Sequence, residues 1–145
     1  MPQSSKRGRK SQHKLLAVTP PQLLICLAML KTQNSQKVAQ MVLDTGASFT
    51  VVSYEVISVL RLHPDKSSQR EEIITASGVI DAPVLEIPLF SALGVEVRNF
   101  KVLCHDLPRQ SRIEGLLGVD FLSHFPPYQD FYNEVTALAP QFWKA

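Results

Sequence analysis

One acid in this chain stands where an acid is costly. Asp44 closes the apolar run Met41-Val42-Leu43 and is followed by a hydroxyl-bearing residue, Thr45, and then by Gly46. A carboxylate taken out of water without a partner is expensive to keep. A residue type in this setting suits general acid/base chemistry. The plainer alternative is that Asp44 uses its oxygen to cap a turn. The triplet alone leaves both readings open.

The other reactive side chains lack a working arrangement. His13, His63, His105 and His124 are scattered, without the i,i+4 spacing of a helical metal site. Cys26 and Cys104 sit in apolar runs and form no four-ligand zinc pattern, so buried free thiols are expected, with a disulfide as the alternative. Cys104 and His105 are neighbours, but adjacent residues of a strand face opposite sides, which is poor geometry for a thiol–imidazole pair. No phosphate-cradling glycine loop is present. No metal and no cofactor is expected.

The segments around Asp44 read as strands. Residues 22–31 are one apolar run, residues 32–36 a polar turn, and residues 37–43 a second run leading into Asp44. This is a hairpin, although the Leu-rich first run also permits a helix. Residues 49–53 are β-branched and aromatic and read as strand. Residues 54–62 fit a short helix stopped by His63-Pro64-Asp65, and 66–71 a polar loop. Ile73–Ala76 and Val79-Ile80 flank a turn at Ser77-Gly78, a second hairpin. Residues 84–90 and 95–104 are further strands joined by a turn at Ala92-Leu93-Gly94, with Pro83 and Pro88 marking an edge or a bulge. Residues 115–122 are expected to be a buried strand that breaks at Gly118 into a short helix. Residues 131–138 fit a strand or a helix equally. The expected architecture is all-β and barrel-like, with one or two short helices.

Composition bounds the rest. A chain of 145 residues with 45% hydrophobic and 19% charged residues suits one globular domain. The net charge of +2 is uneven: Lys6, Arg7, Arg9, Lys10 and Lys14 precede residue 15 with no acid among them. Of 15 basic and 13 acidic residues in all, that leaves ten basic against thirteen, a body of about −3, which does not favour nucleic acid. The basic head, within residues 1–21, is expected to be a disordered, solvated tail. Contact with RNA, DNA or anionic lipid is the alternative. No apolar stretch reaches the ~18 residues of a membrane span. The run 23–30 behind a basic head faintly resembles a secretory signal, but a core strand explains it better. Cytoplasm is the default compartment.

In its context the Asp44 segment resembles the active-site loop of the retroviral-type, or retropepsin-like, aspartic proteases. There an apolar strand enters Asp-Thr-Gly, and Ala, Ser and β-branched residues follow, as Ala47-Ser48-Phe49-Thr50-Val51-Val52 do here. Ala47 favours the retroviral type over bilobed pepsin-like enzymes. Leu116-Leu117-Gly118 before Val119-Asp120-Phe121-Leu122 looks like the family's second signature. Thr75-Ala76-Ser77-Gly78 is similar to the tip of its flap. The likeness runs over about residues 22–125, within an expected protease domain of residues 22–127.

The resemblance implies a closed β-barrel half-enzyme with a Gly-containing flap. It implies a catalytic group of Asp44, Thr45 and Gly46, with Ala47, Ala76, Ser77 and Gly78 against a polypeptide substrate. Leu116, Leu117 and Gly118 would act as structural support. Thr45 would brace the partner's loop across a homodimer, its alternative being a local bond within its own turn. The chain has one Asp-Thr-Gly, and Asp120 is not a second, because no Thr-Gly follows it. A pair of carboxylates therefore requires two chains. The family's usual last strand is not recognisable in residues 128–145, a divergent segment entered through Pro126-Pro127. Two functions stay open: a self-dimerising aspartic endopeptidase, and a retropepsin-like dimerisation or protein-binding module that does not cleave.

Overall fold

The computed structural model describes residues 24–75, 78–108 and 111–138. The basic head and the hairpin-tip residues Ala76 and Ser77 lie outside them.

Alternation of small and large apolar residues builds the first hairpin. Strand β1 (Ile25–Lys31) points Ala28 and Leu30 inward, and β2 (Gln36–Leu43) points Ala39 and Met41 inward. The two pair antiparallel with Ala28 opposite Ala39. The tight connection is held by Thr32, whose N–H reaches the Ser35 carbonyl at 2.8 Å and whose hydroxyl accepts the Ser35 N–H at 3.1 Å. Cross-strand pairing selects strand for the Leu-rich first run over the helical alternative.

The expected strand over 49–53 is shorter, β3 (Val51–Val52), and the Thr50 N–H before it donates to the Asp120 carboxylate instead of to a strand. Ser53 then caps α1 (Tyr54–Val59) by accepting the Val56 N–H. The helix ends with Arg61 N–H on the Ser58 carbonyl and Leu62 N–H on that of Ile57. This is a Schellman ending in which Arg61 (φ 59°) occupies the left-handed position usually given to glycine. A short 3₁₀ turn over Pro64–Lys66 follows.

Strands β4 (Arg70–Thr75) and β5 (Gly78–Ala92) correct two expectations. Arg70 and Glu71 belong to β4 rather than to a polar loop, because they pair with Pro83 and Ala82. Residues 81–83 do not separate two strands. β5 runs unbroken for 15 residues, pairing first with β4 and then, from Val84, with β6 (Val95–Cys104). Pro83 sits at that change of partner. Pro88 interrupts the β5–β6 ladder opposite Asn99, which takes φ 54°. The β5–β6 turn is Leu93-Gly94, both at positive φ, the pattern of a type I′ hairpin.

Strand β7 (Gly115–Leu117) lies parallel to β2 and antiparallel to β3. The order β1-β2-β7-β3-β6-β5, with β5 pairing back on β1, closes a six-stranded barrel. β4 extends from it as the outer arm of a hairpin. The core includes Leu30, Met41, Val56, Ile57, Ile87, Phe90, Leu117 and Phe121, all fully buried. Burial of side chains of this size contributes roughly 1.5–3 kcal/mol each. Phe90, Phe100 and Phe121 stack with ring centroids 4.9–5.7 Å apart, which locks α2 (Val119–Leu122) into the barrel end. The ambiguous segment 131–138 is helical, part of α3 (Pro126–Leu138), with the double proline in its first turn, where missing N–H groups cost nothing. Among the described residues no helix is long and apolar enough to cross a membrane.

Candidate active site

Asp44 leaves β2 at the barrel rim, between strand and turn. Its N–H donates to the Leu117 carbonyl at 2.9 Å, which extends the β2–β7 pairing by one residue. The chain then turns back on the side chain: Gly46 N–H donates to Asp44 Oδ1 at 2.9 Å, and Ala47 N–H to the Asp44 carbonyl at 3.1 Å. A Cβ on residue 46 would lie 3.3 Å from Oδ1, so glycine leaves the carboxylate its room. Asp44 is half-buried, while Thr45 and Gly46 are exposed. The Thr45 hydroxyl makes no hydrogen bond among the described residues, so the local bond within its own turn is not formed.

A second layer holds this loop from beneath. Gly118 packs against it so closely that a Cβ would lie 2.7 Å from the Ala47 carbonyl oxygen and 2.8 Å from the Phe49 carbonyl. Val119 N–H donates to the Ala47 carbonyl at 2.9 Å. Leu117 is fully buried in the core, whereas Leu116 is half-buried and faces the cleft.

The residues that hold the loop in register are ones that sequence reasoning missed. Thr50 is fully buried. Its hydroxyl donates to Asp120 Oδ1 at 2.7 Å and accepts the Gly118 N–H at 3.1 Å, and its own N–H donates to Asp120 Oδ2 at 3.0 Å. The available signal was Asp120 in the first turn of a short helix, where a carboxylate meets free N–H groups. Here it accepts the Phe121 N–H at 2.8 Å.

Asp44 opens onto a groove of about 890 Å³. It is lined by Ala47, Phe49, Val51 and Leu116, by Ile73, Ile74 and Ile80 of the β4–β5 hairpin, and by the segment His105–Pro108. Gly78 opens β5 at φ 129° beside the hairpin tip, and a Cβ there would meet nothing within 4 Å. Cys104 is buried behind His105, and burial, with a smaller contribution from Asp106, pushes its thiol up to about 12. Among the described residues no group of three or more potential metal ligands converges.

The family model described as aspartyl protease matches residues 30–121. The chain belongs to the aspartyl protease family. The match takes in Asp44, the β4–β5 hairpin and Leu116-Leu117-Gly118. The barrel of this aspartyl protease is similar to the crystal structure of a retropepsin-like aspartic protease from Rickettsia conorii, with a TM-score of 0.56 at 21% identity over 71% of this chain and 79% of that one. The fold is retropepsin-like. None of the curated proteins matches the chain.

Proposed function

We propose that this aspartyl protease is an endopeptidase whose catalytic pair is Asp44 from each of two copies. The observation that carries the reading is the placement of Asp44. Its backbone is fixed between Leu117 and Ala47, one carboxylate oxygen is held by Gly46, and the side chain stays open to a peptide-sized groove. One such acid per chain makes half a site.

Two carboxylates brought together cannot both ionise, so they share one proton. The ionised partner takes a proton from water as its oxygen bonds to the peptide carbonyl carbon. The protonated partner donates to the carbonyl oxygen. Collapse of the tetrahedral intermediate breaks the C–N bond, and a proton passes to the departing nitrogen. The exposed, unbonded Thr45 hydroxyl is free to brace the partner's loop. Ala47 would lie beside the substrate, with Ala76, Ser77 and Gly78 as a flap excluding water above it. Leu116, Leu117 and Gly118 would hold the loop from below. The substrate would lie extended in the groove, its backbone bonding to strand edges.

The test is cleavage of a mixed peptide library near pH ~5, where a shared-proton pair works, with and without a pepstatin-type inhibitor. Cleavage by the wild type that Asp44→Asn and the inhibitor both abolish is the expected result. A second reading, a dimerisation or binding module that does not cleave, is favoured by one observation. Among the described residues the chain continues after α2 as helix α3, where the resemblance implies a strand for pairing with a second copy. A demonstrated dimer without cleavage would select it.

A further inference from the structure

We infer that His105 is a specificity-determining residue of the groove, its imidazole taking an acidic side chain of the bound peptide. The inference rests on the endopeptidase reading and adds a substrate class to it. The strand that carries His105 places it. Its N–H donates to the Val52 carbonyl at 3.0 Å, which prolongs by one residue the parallel pairing of Val51 with Leu103 and Val52 with Cys104. Side chains alternate along such a segment. Leu103 is buried in a cluster with Val51, and Ile73 and Leu116 pack against that cluster. Val51, Ile73 and Leu116 all line the groove. Cys104 faces the other way, into the main core. His105 returns to the side of Leu103, and it is half-buried where it lines the groove.

The imidazole is uncommitted. It makes no hydrogen bond or ion pair among the described residues. Neither of its nitrogens is buried without a partner, so both reach solvent. The nearby acids are turned elsewhere. Asp106, the next residue, points to α1, where its Oδ1 accepts the Tyr54 N–H at 3.1 Å. Glu72 pairs with Asp81 on the outer face of the β4–β5 hairpin, opposite to Ile73 and Ile80. Asp44 lies in the turn that leads into β3, whereas His105 is bonded at the far end of that strand. His105 is the one basic side chain lining the groove among the described residues, and its neighbours there on β3, β7 and the inner hairpin face are aliphatic. An imidazole carries a proton below about pH 6.5. In aliphatic surroundings that charge attracts a carboxylate more strongly than it would in open water.

The experiment uses the full chain at pH ~5.5, where carboxylates and imidazoles are both ordinarily charged. Peptide sets are matched except for Glu, Gln or Lys at each position flanking a bulky apolar residue. Their cleavage is measured beside binding of their reduced-amide, uncleavable counterparts. The expected result is a Glu-over-Lys preference of about fivefold or more at one position in both, the size of an exposed ion pair. It shrinks at high salt, and in binding it fades as pH rises to ~7.5. In His105→Gln the preference falls to about unity, and in His105→Glu it inverts. In His105→Arg it survives and no longer fades with pH, which a merely structural role would not produce. Cleavage with no Glu-over-Lys preference at any position, or a preference unchanged in His105→Gln, would overturn the inference and leave the endopeptidase reading standing. A His105-dependent preference in binding with no cleavage would do the reverse. Neither binding nor cleavage would overturn both.

Discussion

Thr50 and Asp120, 70 positions apart in the chain, are joined by two hydrogen bonds, hydroxyl to Oδ1 at 2.7 Å and N–H to Oδ2 at 3.0 Å. The pair ties the strand that leaves the Asp44 loop to the helix beneath it, and the same hydroxyl accepts the Gly118 N–H. Thr50→Val keeps the shape but leaves buried polar groups without partners, at about 1–3 kcal/mol. Asp120→Ala is expected to cost at least as much, because it frees two donors, the Thr50 hydroxyl and N–H, while the Phe121 N–H keeps the Gly118 carbonyl at 3.1 Å. Urea denaturation of each variant checks the cost. Cleavage measured under conditions where both remain folded should fall mainly through kcat, since the loop that carries Asp44 loses its register.

Gly118 and Gly115 should not tolerate a methyl group. At Gly118 a Cβ would press on the backbone of Ala47 and Phe49, and at Gly115 on the Val51 carbonyl oxygen at 2.5 Å. Backbone cannot swing aside as a side chain can. Gly118→Ala and Gly115→Ala are each expected to lower stability by about 1–3 kcal/mol, or more. Gly94→Ala, with open space around its Cβ, should suffer only from its positive φ of 77°, about 1 kcal/mol. Thermal melts of the three variants would test the ranking.

The proposed pairing of two half-sites makes a prediction about mixtures. When wild type is pre-mixed with an equal amount of Asp44→Asn, random pairing leaves one dimer in about four with both acids, so activity per wild-type chain drops to about half. With a large excess of the variant it approaches zero. Activity that ignores the added variant would show that a single chain suffices. Titrating the mixture while following cleavage of one reporter peptide is enough.

The Cys104 thiol, pushed up to about 12 by burial and then by Asp106, should stay protonated and unreactive in the folded protein. In a Cys26→Ser background, iodoacetamide at pH ~9 is expected to label it only at the rate of global opening. The sign of the pH dependence follows. The folded value lies above the ordinary 9.0, so the unfolded chain loses the proton first. Stability is full below pH 9.0 and declines as pH rises toward 12, at no more than ~1.4 kcal/mol per pH unit. Melting temperatures across this window, compared with Cys104→Ala, isolate the contribution.

Helix α1 offers an independent check of backbone strain. Arg61 holds φ 59° at the position after the C-cap, which costs a side-chain-bearing residue about 1–2 kcal/mol. Arg61→Gly is expected to raise stability by up to about 1 kcal/mol, read as an increase in the denaturation midpoint.

The local chemistry could be read along the chain. An acid after an apolar strand, a hydroxyl and a glycine beside it, two leucines and a glycine further on, and a glycine-bearing hairpin between them are all fixed by residue type and order. Each expresses a rule that acts over a few positions: alternation, turn chemistry, helix capping. Tertiary structure decided what depends on contact between distant segments. Residues 70–71 and 81–83 read as breaks because they are polar or carry proline, yet each supplies the other's ladder, and together they make β4 and an unbroken β5. The helix α3 could not be told from a strand, because its apolar spacing served both. Thr50 and Asp120 were inconspicuous because a threonine in a β-branched run and an aspartate in a first helical turn are ordinary. Only closure of the barrel, with β7 set between β2 and β3, brings them together beneath Asp44.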